Sequence, residues 1–148
     1  MSEAPILFEE QIAGAGKLVR VTLNVPATLN SLTLEMVDQL QAKLDLWRDD
    51  PAIAAIFLEG TGDKAFCAGG DIQALYDDVT ATPGGPCAYA ENFFLREYRL
   101  DYTLHTYPKP VISWGHGIVM GGGLGVMAGA SHKIVTEKTR IAMPEVGI

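Results

Sequence analysis

Three glycines in a row, Gly121-Gly122-Gly123, stand between an apolar run, Val111-Ile112-Ser113-Trp114, and a second apolar stretch, Val126-Met127-Ala128-Gly129-Ala130. The first run reads as a strand and the second as the start of a buried helix. Glycines at such a junction leave backbone N–H groups uncovered and let a ligand approach closely. The first N–H groups of a helix lack an internal partner and carry the positive end of its dipole. The junction can therefore hold an anion, or an oxygen that becomes one during a reaction. Taken alone, the same glycines would serve close helix packing equally well.

A second stretch has the same plan. The continuous apolar run Ala52-Ile53-Ala54-Ala55-Ile56-Phe57-Leu58-Glu59 leads into a glycine-bearing loop, Gly60 to Asp71. Ligands in open α/β sheets collect at such strand ends. Asp71 is placed to cap a helix that begins Ile72-Gln73-Ala74-Leu75-Tyr76. If the two strands are neighbours, the loops Cys67–Asp71 and Met120–Gly125 present backbone N–H groups to one point. Two donors aimed at one oxygen form an oxyanion hole, which stabilises a thioester enolate or a tetrahedral intermediate. Glu145, after Pro144, adds a carboxylate. Cys67 has no histidine paired with it by spacing, so it reads as a small buried residue rather than a nucleophile. His116, between two glycines, reads as a group that orients its loop, and His105 and His132 read as structural.

The elements that must position these groups follow from periodicity. Residues 6–11 and 17–23 read as a hairpin turning at Gly14-Ala15-Gly16, with Val19, Val21 and Leu23 on one face. Ser31 or Thr33 caps a helix whose apolar face is Leu34, Val37, Leu40, Leu44 and Trp47. The run at 52–59 is expected to be a strand covered on both faces. Residues 80–86 separate two helices. The second, Tyr89 to Tyr107, carries Phe93, Phe94, Tyr98, Tyr102 and His105 on the side expected to be core, and Pro108 and Pro110 end it. His132–Thr136 reads as a strand and Arg140–Met143 as a short extended piece. No repeat of fixed period is visible, and strands alternating with helices indicate an α/β fold.

Composition narrows the partners. The chain has 148 residues, 48% of them hydrophobic, which suffices for one domain with a core. A formal charge of −7, from 18 acidic and 11 basic residues, speaks against nucleic acid as the main partner. No apolar run is long enough to cross a bilayer and no signal peptide is visible, so no membrane partner is expected. Two cysteines, Cys67 and Cys87, do not make a disulfide framework, which fits a reducing compartment.

Three blocks in register then carry a resemblance. Gly62-Asp63-Lys64-Ala65-Phe66-Cys67-Ala68-Gly69-Gly70-Asp71-Ile72, the stretch from Pro108-Lys109-Pro110 through Met120-Gly121-Gly122-Gly123, and Ala142-Met143-Pro144-Glu145 resemble the crotonase (enoyl-CoA hydratase/isomerase) superfamily. Within it, Tyr98-Arg99-Leu100-Asp101-Tyr102 and Ala128-Gly129-Ala130-Ser131-His132 are most similar to the branch that hydrolyses 3-hydroxyisobutyryl-CoA in valine breakdown.

The resemblance implies a fold of repeated ββα turns. Residues 1–148 would be the N-terminal part of a single domain that stops before the C-terminal helices. It implies oxyanion-hole N–H groups at Gly70 and Gly122 and a catalytic carboxylate at Glu145. Ala68, Gly69, Asp71 and Gly121 would line the substrate, with Lys64 a candidate for the CoA phosphates. The basic residue that family members often carry near 24–30 is missing. Hydratases of the family have a second glutamate where this chain has Gly125, so thioester hydrolysis is expected ahead of hydration. The hydrolase branch places its second acidic residue in a Pro-Asp motif beyond the glutamate. No metal or redox cofactor is implied, coenzyme A arriving as part of the substrate. The expected setting is cytoplasm in a bacterium or the mitochondrial matrix in a eukaryote. The expected partner, besides the acyl-CoA, is a second copy or the C-terminal part.

Three other readings stand beside this one. The first is an enoyl-CoA hydratase or isomerase acting through an enolate. The second is a non-catalytic CoA-binding or assembly module. The third is a dinucleotide-binding unit built on Gly123, Gly125, Ala128 and Glu137, which match G-x-G-x-x-A and an acidic residue after a strand.

Overall fold

The computed structural model describes residues 4–147. The chain opens with the hairpin β1 (Ile6–Ala13) and β2 (Gly16–Leu23), paired antiparallel from Ile6↔Leu23 to Ala13↔Gly16. Val19, Val21 and Leu23 are buried, as their alternation predicts. Helix α1 (Leu34–Arg48) starts at Thr33, whose hydroxyl accepts from the Met36 N–H at 3.2 Å. Its buried face is Met36, Val37, Leu40, Leu44 and Trp47, with Leu34 only half-buried.

After α1 the chain makes three similar passes, and each contributes one strand to each of two sheets. The passes are β3 (Ile53–Gly60) with β4 (Ala65–Cys67), β5 (Val111–Gly115) with β6 (Ile118–Met120), and β7 (His132–Val135) with β8 (Arg140–Ala142). The first strands extend the hairpin into a sheet ordered β1-β2-β3-β5-β7. The second strands form a separate sheet ordered β4-β6-β8. Every pairing after the hairpin is parallel. Helices α2 (Ile72–Ala81) and α3 (Ala88–His105) separate the first pass from the second, and α4 (Gly122–Gly129) separates the second from the third. Parallel strands need such crossovers.

Two expectations are corrected here. In β3, Ile56 and Leu58 are buried, whereas Phe57 and Glu59 are only half-buried and Ala54 is exposed. The second face is polar rather than covered: Glu59 accepts from the Thr22 hydroxyl at 3.2 Å and pairs with Arg20 at 3.6 Å. In α3, the buried side runs Phe93, Glu97, Leu100, Thr103, Leu104, while Phe94, Tyr98 and Tyr102 are exposed. Counting aromatics placed the core face about a quarter-turn away from where the i, i+4, i+7, i+11 series puts it.

Candidate active site

Adjacent parallel strands β4 and β6 bring the two glycine loops side by side. The loop after β4 is laced to the stretch before α1. Ala68 N–H donates to Leu29 O at 3.0 Å, Leu32 N–H to Gly69 O at 2.7 Å, and Asp71 N–H to Leu32 O at 2.9 Å. These bonds use the groups on either side of Gly70, which forms a parallel bridge with Leu32. In that geometry the N–H of Gly70 itself points away from Leu32 and takes part in none of them. Asn30, fully buried, ties the stretch before α1 to the turn and strand that precede the loop. Its Oδ1 accepts from Val25 N–H at 3.0 Å, and its Nδ2 donates to Thr61 O and Ala65 O, both at 2.9 Å.

The loop after β6 turns at Gly121, whose φ of +52° lies where a side chain is strained. Gly121 N–H donates to Ala142 O at 3.1 Å, and its carbonyl accepts from Leu124 and Gly125. Gly122 is the first residue of α4, so no carbonyl one turn back is available to its N–H. The two loops are in contact. A methyl group on Gly69 would lie 3.7 Å from Gly122 N and 3.8 Å from Gly121 Cα. Glu145 sits in a final 3-10 turn, Pro144–Gly147, over the second loop: a methyl on Gly121 would lie 2.7 Å from its Oε1.

These groups share one cavity of about 390 Å³, lined by Ala68, Gly69, Gly70, Gly121, Gly122 and Glu145. Phe94, Tyr98 and Met143 belong to its apolar wall, so two of the aromatics expected in the core line the cavity instead. Asp71 is not in the lining. It caps α2, its carboxylate accepting from Ala74 N–H at 3.2 Å. Lys64 is not there either. It borders a separate recess of about 150 Å³ with Pro26, Leu29, Thr61 and Gly62. His116 ties its corner to that recess through Nε2, 2.9 Å from the Gly62 carbonyl. Cys67 is buried, and burial pushes its thiol up to about 12, which makes it inert as a nucleophile.

Sequence reasoning missed two carboxyl groups in this cavity. Glu97 and Asp101, one turn apart on α3, both line it. Glu97 is only 3% exposed, and burial raises its carboxyl to about 7, helped by the neighbouring Asp101 and Glu145 charges. Burial also raises Asp101, to about 6. Glu97 was findable, since it falls in the apolar series Phe93, Leu100, Leu104, where an unpaired carboxyl is out of place. Three carboxyls facing one cavity raise the question of a metal, but no group of ligands placed to hold one occurs among the described residues.

The glycines of α4 explain how α3 comes so close. A side chain at Gly122 would overlap Glu97 Oε1, one at Gly125 would lie 2.5 Å from Asp101 Oδ2, and one at Gly129 would lie 2.9 Å from Leu104 Cβ. Gly123 faces the other way, onto the Cys67 carbonyl. Packing against α3 and lining of the cavity thus fall on the same run. The dinucleotide reading fails on this point, because Gly123 and Gly125 lie inside a helix against Cys67 and Asp101 and form no phosphate turn.

Strand–glycine–helix units set side by side, with a backbone corner open to one cavity, define the class of fold. Residues 18–148 match the family model for enoyl-CoA hydratase/isomerase, and the chain belongs to that family. Among curated relatives, a mitochondrial 3-hydroxyisobutyryl-CoA hydrolase from Gallus gallus is 41% identical over 99% of this chain and 36% of its own length. A 3-hydroxyisobutyryl-CoA hydrolase from Arabidopsis thaliana is 38% identical over 99% of the chain and 37% of its own length. Among solved structures, an enoyl-CoA hydratase from Rhodobacter sphaeroides aligns with a TM-score of 0.85 at 37% identity, covering 96% of this chain and 40% of that one. A carnitinyl-CoA dehydratase from Mycobacterium thermoresistibile gives 0.85 at 42% identity, covering 95% and 40%. The chain therefore spans little more than a third of the length of these curated relatives.

Proposed function

We propose that the chain carries the thioester-binding part of an acyl-CoA hydrolase acting on 3-hydroxyisobutyryl-CoA. The observation that supports this most is the contact of the Gly69-Gly70 and Gly121-Gly122 turns at one cavity, with the Glu145 carboxylate beside the second. In this reading the N–H groups of Gly70 and Gly122 receive the thioester oxygen and stabilise the charge that develops on it. Ala68, Gly69 and Gly121 shape that corner. Glu145 is the group positioned to attack the thioester carbon or to activate water against it. Asp71 acts at one remove by fixing the first loop through its cap. The recess at Lys64 is the proposed place for the CoA phosphates, with no redox or metal cofactor called for. The names of the hydrolase relatives support the acyl group and hydrolysis over hydration.

The chain is further proposed to associate through the β7–β8 side, with itself or with further polypeptide of the same enzyme. Ile134, Val135, Ile141 and Met143 are 39%, 55%, 52% and 58% exposed there, an apolar strip that water covers poorly. Light scattering on the purified chain tests self-association: a monodisperse monomer would refute it and leave only pairing with further polypeptide of the enzyme. If the source is a eukaryote, the mitochondrial label of the vertebrate relatives makes the matrix the expected place.

Hydrolysis is tested by thiol release from 3-hydroxyisobutyryl-CoA in the full enzyme. Glu145→Gln should lower turnover by about 10²-fold or more while leaving CoA affinity nearly unchanged. Near-native turnover would remove Glu145 from the mechanism. The hydratase reading is favoured by the Rhodobacter sphaeroides neighbour. Loss of enoyl absorbance from an enoyl-CoA, without thiol release from the hydroxyacyl-CoA, would decide for it.

A further inference from the structure

The connection between β3 and β4 is well held at its ends and thinly held at its tip. At its start, Thr61 N–H donates to Leu23 O at 2.8 Å and the Thr61 hydroxyl to Asn24 Oδ1 at 2.9 Å. Asn30 takes the carbonyls of Thr61 and Ala65, one at each end. Between them, at Gly62 and Asp63, a single hydrogen bond is found among the described residues. It comes from the β5–β6 corner: His116 Nε2 lies 2.9 Å from Gly62 O. A carbonyl only accepts, so Nε2 carries the proton and donates. The other ring nitrogen, Nδ1, is buried with no partner. The bond to Gly62 therefore fixes both the ring and the tip of the loop.

The corner that carries this ring is itself pinned. Phe66 N–H donates to His116 O at 2.8 Å, and Ile118 N–H to Lys64 O at 2.9 Å. Gly117, with a φ of +59°, lies so near that a methyl on it would overlap the Lys64 carbonyl. From the third pass, the Thr139 hydroxyl donates to Gly115 O at 2.6 Å and Arg140 N–H to Gly117 O at 2.8 Å. His116 thus reaches from a fixed corner to a loop whose outer rim, Gly62-Asp63-Lys64, walls the recess of about 150 Å³. His116 is not in the lining of that recess, so it acts on an occupant only through the loop. Lys64 is exposed, and no carboxylate pairs with it among the described residues. A lysine is a point charge on a flexible stem, and its aim depends on how well its backbone is held.

We propose that His116 is a positioning residue for the CoA end of the substrate: by bonding the Gly62 carbonyl it holds the rim of this recess, and so places the Lys64 ammonium to receive a phosphate group. The inference rests on the reading of the recess as the place of the CoA phosphates. It gives the β5–β6 corner a role at the far end of the substrate from the glycine loops.

The test is a double-mutant cycle on the full enzyme, with CoA itself as the probe in titration calorimetry, so that no turnover is needed. Lys64→Ala should weaken CoA binding about fivefold, the scale of one solvent-exposed charge contact. His116→Met keeps a side chain of similar length and removes the donor. It should weaken binding about threefold, the part of that contact owed to placement. The double variant should bind no worse than Lys64→Ala alone, because the loop then has no charge to place. His116→Gln, which can set an amide donor about where Nε2 lies, should bind as the native enzyme does. A role in packing alone would give losses that add in the double variant and no difference between Met and Gln. Either of those results overturns the proposal, as does native affinity in His116→Met beside a weakened Lys64→Ala. Native affinity in Lys64→Ala would instead strike the reading of the recess on which the inference stands.

Discussion

The two glycine loops reach one geometry by unlike means. The first, at 68–71, is held by polar anchors: Asn30 bonded to the strand that leads into it, the Leu32 bridge beside it and the Asp71 cap after it. The second, at 120–125, has no polar side chain holding it among the described residues. It is set by the absence of side chains, with Gly122, Gly125 and Gly129 against α3 and Gly123 against β4. One loop is tied and the other is wedged. A tied loop weakens one bond at a time, whereas a wedged loop tolerates no added atom where its neighbour is backbone.

Substitutions that add one methyl sharpen the contrast most. Gly123→Ala drives a methyl into the Cys67 carbonyl, which belongs to a sheet and cannot step aside. It should cost about 3 kcal/mol, the upper end for overpacking, and lower the urea midpoint accordingly. Gly70→Ala meets only the Phe93 ring, at 2.9 Å, and rings can shift. Its loss should be clearly smaller, and equal losses would erase the distinction.

Asn30→Ala attacks the tied loop. It leaves the Val25 N–H and the Thr61 and Ala65 carbonyls without their partner in a buried site. A loss of about 1–3 kcal/mol is expected in equilibrium unfolding, and a neutral result would show that the loop does not depend on its anchors.

Acidity separates the loops further, because the buried carboxyls pack directly against the glycines of the second. Glu97 and Asp101 are raised in the folded chain, so the native state holds protons that the unfolded chain releases. The stability they contribute is fully present below the ordinary carboxylate range and is lost as pH rises through about 6 and about 7. Unfolding free energy should therefore fall between acid and neutral pH, with a slope approaching about 1.4 kcal/mol per pH unit where one group titrates. Glu97→Gln should flatten that slope, and urea midpoints across the range would report it.

The smallest effect is expected at the cap. Asp71→Ala removes one acceptor at the start of α2 and should cost about 1 kcal/mol in thermal unfolding. A much larger loss would mean that the cap contributes more to the first loop than its single hydrogen bond implies.

Much of this arrangement was legible in the sequence, and the failures have physical causes. The β1–β2 hairpin, the face of α1, the capping by Asp71 and the burial of Cys67 followed from periodicity and residue type. The second sheet did not. Its strands β4, β6 and β8 are three residues each, too short for an alternation to register. The glycines were read as a choice between packing and ligand contact; Gly122 and Gly125 pack against α3 and also line the cavity. Glu97 was overlooked because the aromatics of α3 drew the helix face toward Phe94, Tyr98 and Tyr102, which border or lie outside the cavity.

The passage of the chain from sheet to sheet has a consequence for aggregation. Strand β7 borders one sheet and β8 the other, on the same flank of the molecule. A stray extended segment from an unrelated protein can lie along one of them, but it leaves the other wet, so it gains only half of what the flank offers. Closing both requires two parallel strands joined by a connection that crosses between sheets, which is another pass of the same kind. The flank thus acts as a two-point lock, permissive toward its own architecture and unrewarding to single strands.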